Sequence, residues 1–264
     1  MDESTYDELP LWSAPFGQAL LEVVVMRPGL TILDVGFGAG FPALELAERL
    51  GASARVLGVD PGTEGVRRAR TKAVAYRVAN VLLLRAEAEH LPLANDQVDL
   101  VVSNNGLNNV QDLEAALRET RRVCRAGAQL VATQNLPDTM RLFYDCYEAV
   151  LRESGLEASV PDLRRHIDER RKPREEMAAR LQAAGFEVVS APERSFSMRY
   201  LDGTSLFAHH FIRLGFLAPW KAVPPAEAVD AVFSRLERRL NEAAAQRGEL
   251  RLDIPFVCFD CRAR

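Results

Sequence analysis

A chain of 264 residues with 48% apolar and 27% charged side chains has the composition of a folded globular protein, which excludes a disordered, collagenous or disulfide-stapled chain. Its 33 Lys plus Arg against 37 Asp plus Glu leave a formal charge of −4, which provides no general electrostatic pull toward nucleic acid or anionic lipid. No apolar stretch approaches the roughly 18 residues of a membrane span, the acidic first eight residues lack the positive charge of a secretory signal, and the four cysteines read as packing thiols of a cytoplasmic chain.

The first 30 residues are expected to form a lid or helix ahead of the first strand, and their Tyr6, Trp12 and Phe16 read as core packing or as part of a water-excluding lid. Short Val, Leu and Ile runs without polar alternation then place buried strands at 31–36, 55–60, 81–86, 98–103 and 129–134. Helices are expected between them at 40–50, 63–78 and 113–125. The first is followed at once by Gly51 and the third closely by Gly127, which can supply a left-handed C-terminal residue. Strands alternating with helices predict a doubly wound sheet with right-handed crossovers. Beyond it the pattern changes. Residues 136–172 read as a charged helical insertion, 173–184 as a core helix leading through Gly185 into a strand at 186–190, and 203–247 as a long helical stretch before a final strand at 250–261. The expected organisation is an N-terminal segment (1–30), a core (31–135), a helical insertion (136–172), a returning core helix and strand (173–200), a cap insertion (201–249) and a last strand (250–264). Seven of the twelve phenylalanines follow residue 190, so the two insertions are expected to form an apolar cap over the carboxyl edge of the sheet.

The most informative segment runs Ile32-Leu33-Asp34-Val35-Gly36-Phe37-Gly38-Ala39-Gly40-Phe41-Pro42, a buried strand that breaks into glycines and opens a helix. Glycine is required where the chain turns tightly and its backbone approaches a ligand, and Pro42 suits a first helical turn. A dinucleotide fingerprint needs a small residue at position 41, where Phe41 stands. Asp34, two positions before the first glycine, is awkward beside a pyrophosphate but favourable beside a cation. Asp60, twenty residues after Gly40, ends the second strand where a carboxylate can accept both hydroxyls of a ribose. Glu87 follows the third strand, level with an adenine beyond that ribose. Together the three carboxylates describe one extended nucleoside with positive charge.

Residues 31–135 resemble class I S-adenosylmethionine (SAM) methyltransferases, particularly the ubiquinone/menaquinone-biosynthesis-like (type 11) branch. Leu33-Asp34-Val35-Gly36-x-Gly38-x-Gly40 is similar to that family's first motif and Val59-Asp60-Pro61 to its acidic second-strand end. Ala-Glu-Ala-Glu-His-Leu-Pro-Leu at 86–93 resembles its Asp-Ala-Glu-x-Leu-Pro-Phe motif, with Glu87 in place of the commoner Asp. Residues 98–102 and 119–131 resemble its fourth strand and the helix into its fifth, where Ala126-Gly127-Ala128 replaces Pro-Gly-Gly. The resemblance implies a Rossmann-like α/β fold with a seven-stranded sheet whose last strand is antiparallel, and SAM as cofactor with S-adenosylhomocysteine as product. It further implies that the backbone of Gly36, Phe37, Gly38 and Gly40 faces the methionine part and that Asp34 holds the amino group directly or through water. Asp60, with Pro61 beside it, would meet the ribose, Glu87 and the Ala88 amide the adenine, and the Ser103–Asn104 turn would offer a carbonyl to the ammonium. The second half of the chain matches no motif.

The remaining chemistry-bearing residues have two readings each. Asn104-Asn105-Gly106-Leu107-Asn108-Asn109 lacks the prolines and aromatic of an Asn-Pro-Pro-Tyr motif and reads as a polar loop beside the ligand. Cys258 and Cys261 lie three apart in an expected strand and so face opposite sides, which favours packing over metal binding. Cys124 and Cys146 also read as packing, with an arsenic- or thiol-handling site as the other reading. His166 falls in a charge-mixed, solvated stretch. Phe207, Phe211, Phe216 and Trp220 read as core, or as a water-excluding lid. His209 and His210 point about 100° apart on an expected helix, so at most one faces a pocket. An oxygen or carbon acceptor needs a base, for which His209, His210, Tyr144 and Tyr147 are the candidates by chemistry. The leading expectation is a SAM-dependent methyltransferase acting on a small, partly apolar molecule, with no nucleic-acid partner and no membrane span. A non-catalytic SAM-binding module engaging a protein partner and a NAD-dependent dehydrogenase are the alternatives.

Overall fold

The computed structural model describes residues 10–264, so the expectation for Tyr6 lies outside the described residues. Helix α1 (Pro10–Val23) leads into β1 (Thr31–Val35), followed by α2 (Ala43–Leu50), β2 (Arg55–Asp60), α3 (Thr63–Ala75), β3 (Val81–Arg85), β4 (Val98–Asn104), α4 (Leu113–Val123) and β5 (Cys124–Asn135). Aliphatic runs form these strands because a sheet covered on both faces can bury every side chain of its central members; in β1 the last four residues are all buried. The chain continues through α5 (Arg141–Glu153), α6 (Val160–Asp168), α7 (Arg174–Ala183), β6 (Phe186–Ser190) and β7 (Glu193–Tyr200). Helices α8 (Gly203–Ala208), α9 (His210–Gly215), α10 (Leu217–Lys221) and α11 (Val229–Arg247) precede β8 (Leu250–Ala263).

The strand order is β3-β2-β1-β4-β5-β8-β6, with β7 also paired to β8. β1 runs parallel to β2 and β4, β2 to β3, and β4 to β5, whereas β8 is antiparallel to both β5 and β6. The doubly wound, Rossmann-like fold with its antiparallel last strand is thus present, with β7 as an eighth strand. Its sequence, Glu-Arg-Ser-Phe-Ser-Met-Arg-Tyr, is half-buried at best, so it lacks the continuous aliphatic run that marks a central strand. Because the chain winds outward in opposite directions from β1 and β4, a crevice opens at their carboxyl ends.

Several boundaries shift for local reasons. Helix α2 begins at Ala43 rather than at 40, because Gly40 sits at φ +107. Helix α3 ends at Ala75, with Arg77 at φ 58 just beyond it. Gly127 does not end α4, which stops at Val123; it lies within β5 at φ +76. The stretch 203–247 is four helices rather than one, with His209 extended at ψ 128 between α8 and α9.

The chain divides into two compact units. The first holds the residues up to Asn135, Pro173–Arg194 and Phe256–Arg264. In its core Leu20, Ile32, Leu46, Val56, Leu100 and Val131 are buried together, each worth about 1.5–3 kcal/mol relative to exposure. The second unit holds Leu136–Lys172 and Ser195–Pro255. Gly203 lets α8 press on α11, since a Cβ there would lie 2.7 Å from that of Leu240. Phe143 stacks on Trp220 at 4.0 Å between ring centres and meets Tyr144 and Phe207 edge-on, while Phe216 tilts against Trp220 and meets Phe211 edge-on. Phe143, Tyr144 and Trp220 are buried in the core of their own unit, with Phe207, Phe211 and Phe216 half-buried around them.

Candidate functional site

Three glycines at positive φ, Gly36 (+80), Gly38 (+54) and Gly40 (+107), turn the chain after β1. A Cβ on Gly36 would lie 2.6 Å from the Gly106 Cα, and one on Gly106 would lie 2.1 Å from the Val35 oxygen, so the turn and the loop after β4 are in backbone contact. The buried Ser103 hydroxyl fastens that contact, donating to the Val35 carbonyl at 2.9 Å and accepting from the Leu107 amide at 3.0 Å. Asp60, at the end of β2, holds the turn from the other side. Its carboxylate accepts from the Gly38 amide at 2.9 Å and the Gly62 amide at 2.8 Å. Phe41, which spoils the dinucleotide fingerprint, has a packing reason: a Cβ on Gly17 of α1 would lie 2.1 Å from its ring.

These elements enclose a cavity of about 460 Å³. Of the expected cofactor residues, Gly36, Gly38, Asp60, Pro61, Glu87, Ala88 and Asn104 line it. Asp34, Phe37, Gly40 and Ser103 do not. Phe37 and Ser103 are buried behind the wall, and Gly40 is turned toward α2, where a Cβ would meet Leu44 at 2.8 Å. The cavity also takes in Trp12 and Ser13 of α1, Glu89, and the loop residues Asn105, Gly106, Asn109, Val110 and Gln111. Asn105, Gly106 and Asn109 belong to the loop read from sequence as lying beside the ligand and Trp12 to the expected lid, whereas Ser13, Val110 and Gln111 arrive through tertiary proximity that no local pattern encodes. Asn104 ties α1 to β4, donating to the Ser13 carbonyl at 3.0 Å while its own oxygen accepts from Thr133 at 3.0 Å. Glu89 fixes the outer loop by accepting from the Gln111 and Asp112 amides.

The electrostatics have one sign. Asp60, Glu87 and Glu89 are the ionisable side chains among the described lining residues, and no Lys, Arg or His joins them. Asp34 is fully buried, and neither of its carboxyl oxygens has a hydrogen-bond partner. Burial first, and the charge of Asp60 second, hold its carboxyl well above the usual range; the Ala43 amide pulls the other way without closing a hydrogen bond. Asn105, at φ 60, also leaves its side-chain amide nitrogen buried without an acceptor. Polar atoms of this kind are rare in folded proteins.

The four base candidates belong to the second unit. Tyr147 is fully buried and donates to the Trp220 carbonyl at 2.7 Å, and burial pushes its phenol up. The Tyr144 oxygen accepts from Trp220 Nε1 at 3.0 Å and Arg171 Nη2 at 2.9 Å. His209 and His210 are exposed, and because His209 is extended between α8 and α9 the two do not lie on one helix as expected. His166 is half-buried against Tyr144 rather than solvated, and burial with the nearby Arg171 and Arg170 lowers it to about 4, so it is neutral. All four cysteines are buried. Burial pushes the Cys124 and Cys261 thiols up to about 12 and Cys258 to about 11, and raises Cys146 as well.

Residues 33–132 match a family described as a methyltransferase domain. An arsenite methyltransferase of Halobacterium salinarum is 30% identical over 182 residues, 67% of this chain and 42% of that protein, so the match spans less than half of that relative's length. A ubiquinone/menaquinone biosynthesis C-methyltransferase, UbiE, of Shewanella frigidimarina is 32% identical over 183 residues, 64% of this chain and 71% of that protein. Among solved structures, YcgJ from Bacillus subtilis shares the fold with a TM-score of 0.60 over 95% of this chain and 98% of that one, at 18% identity.

Proposed function

The chain belongs to the class I SAM-dependent methyltransferases, in the ubiquinone/menaquinone-biosynthesis-like branch, and from that premise we propose that it methylates a small, partly apolar molecule, leaving S-adenosylhomocysteine. SAM supplies a methyl group on a sulfonium whose leaving group departs neutral. The protein's part is to align donor and acceptor and to exclude water, which can supply about 7–11 kcal/mol.

The observation that carries the cofactor reading is the all-acidic cavity backed by the orphaned Asp34 carboxyl. An ammonium and a sulfonium find complementary charge there, whereas the pyrophosphate of a dinucleotide would face carboxylates with no cation to offset them. In this reading Asp60 keeps its two backbone amides and uses its remaining lone pairs for the ribose hydroxyls. Glu87 and the Ala88 amide hold the adenine, and the Gly36–Gly38 turn with the Asn104 carbonyl holds the methionine end. Trp12 closes the cavity wall from α1. The arsenite named for one relative is not carried over, because arsenic(III) is captured by accessible thiolates and the thiols here are buried and protonated. No observation favours a non-catalytic module.

Calorimetry with S-adenosylhomocysteine tests the reading. Asp60→Ala is expected to weaken binding about tenfold to a hundredfold, from loss of charged-group hydrogen bonds worth about 1.5–3 kcal/mol. Absence of binding by the wild-type chain, or an affinity indifferent to that substitution, overturns it.

A further inference from the structure

β3 closes one edge of the sheet with β2 as its neighbour, and α3 packs against it. Between them lies a groove of about 640 Å³ whose walls include Arg70, Val74, Arg77, Val78, Leu82 and Leu84. Apolar side chains stand into solvent at this edge: Val74 is 80% exposed and Leu82 53%. Single exposed apolar residues are ordinary, whereas a cluster bordered by charge marks a place of contact. The charge here is one-sided. Arg70 and Arg77 are the charged side chains among the described residues that line the groove, in a chain whose total is −4. Arg67, Arg70 and Val74 recur at helical spacing and are all exposed, so arginine and valine share one stripe of α3. Glu64, one turn before that stripe, pairs with Arg67.

We propose that this face docks on an anionic phospholipid surface, with the arginines among the headgroups and Val74 and Leu82 reaching the acyl boundary. Two other occupants match it less well. An extended peptide would add to the β3 edge, but Arg70 already donates to the Leu83 carbonyl there at 2.8 and 3.2 Å, and the strand is five residues long. A nucleic acid would engage the arginines and leave Val74 and Leu82 without a role. The net charge of the chain conceals the surface, because attraction to a membrane acts within a Debye length, roughly 8 Å at physiological salt. It reads the charge of one face. The proposal does not depend on the methyltransferase reading.

Cosedimentation of the full chain with vesicles of phosphatidylcholine plus phosphatidylglycerol, against phosphatidylcholine alone, tests it. Binding is expected to the anionic vesicles only and to weaken with salt. Arg67→Gln combined with Arg77→Gln should lower the binding constant about 25-fold, near fivefold for each arginine. Val74→Asp combined with Leu82→Asp should abolish binding while leaving the circular dichroism spectrum unchanged, since both positions are exposed. No binding to anionic vesicles at low salt, or binding indifferent to both pairs of substitutions, overturns the proposal. So does binding of a nucleic-acid duplex in place of vesicles, or self-association through this face, lost in the Val74→Asp, Leu82→Asp protein, with no lipid binding.

Discussion

One buried ionisable group in each unit is handled in the opposite way. In the first, Asp34 is sealed from water with neither oxygen bonded, directly behind a turn that lines an acidic cavity. In the second, Arg171 is equally sealed, at 5% exposure, yet its guanidinium donates to the Thr139 carbonyl and the Tyr144 oxygen and lies 4.8 Å from the Tyr144 ring centre. Tyr147 and Trp220 complete that network. A closed network of satisfied groups specifies a packing arrangement, whereas an unsatisfied one beside a cavity leaves room for a ligand to finish it.

The sharpest way to break this contrast is to hollow the closed unit. Phe143 is fully buried among four aromatic neighbours, and Phe143→Ala is expected to cost about 3–5 kcal/mol by denaturant unfolding; a cost under about 1 kcal/mol would mean that the rings are not a core. A smaller effect separates the two kinds of buried charge. The folded protein holds the Asp34 carboxyl above its unfolded range, so folding favours the neutral form. That stabilisation is complete below about pH 4 and is lost as pH rises toward and through the raised folded value. Without cofactor, wild type should therefore lose stability relative to Asp34→Asn as pH climbs from about 4 toward neutrality, by on the order of 1–3 kcal/mol. A pH-independent difference would show that Asp34 is ionised and satisfied in the cofactor-free protein. The smallest effect is expected for Tyr147→Phe. It removes one hydrogen bond to the Trp220 carbonyl and should cost about 1 kcal/mol in the same unfolding assay.

Local pattern accounts for what could be read from the sequence. The strands at 31–35 and 55–60 are short aliphatic runs, and Gly36, Gly38 and Asp60 signal a cradle because each needs a particular residue type at its own position. Ser13 and Gln111 line the same cavity with no such requirement; they arrive through the packing of α1 and of the loop before α4. Charge pattern misled at His166, which sits among arginines and acids in sequence yet turns inward to Tyr144. Strand β7 escaped because an edge strand needs few apolar residues. The backbone approach of Gly36 to Gly106 spans 70 residues of chain, a distance over which periodicity carries no information.

Trp12 lines the cavity of the first unit, Trp220 sits among the rings of the second, and the chain has no other tryptophan. Each half thus carries its own natural fluorophore. With one indole replaced by phenylalanine, the emission of the other reports a single unit, so a melting curve from each single-tryptophan protein will show whether the halves come apart together or one at a time.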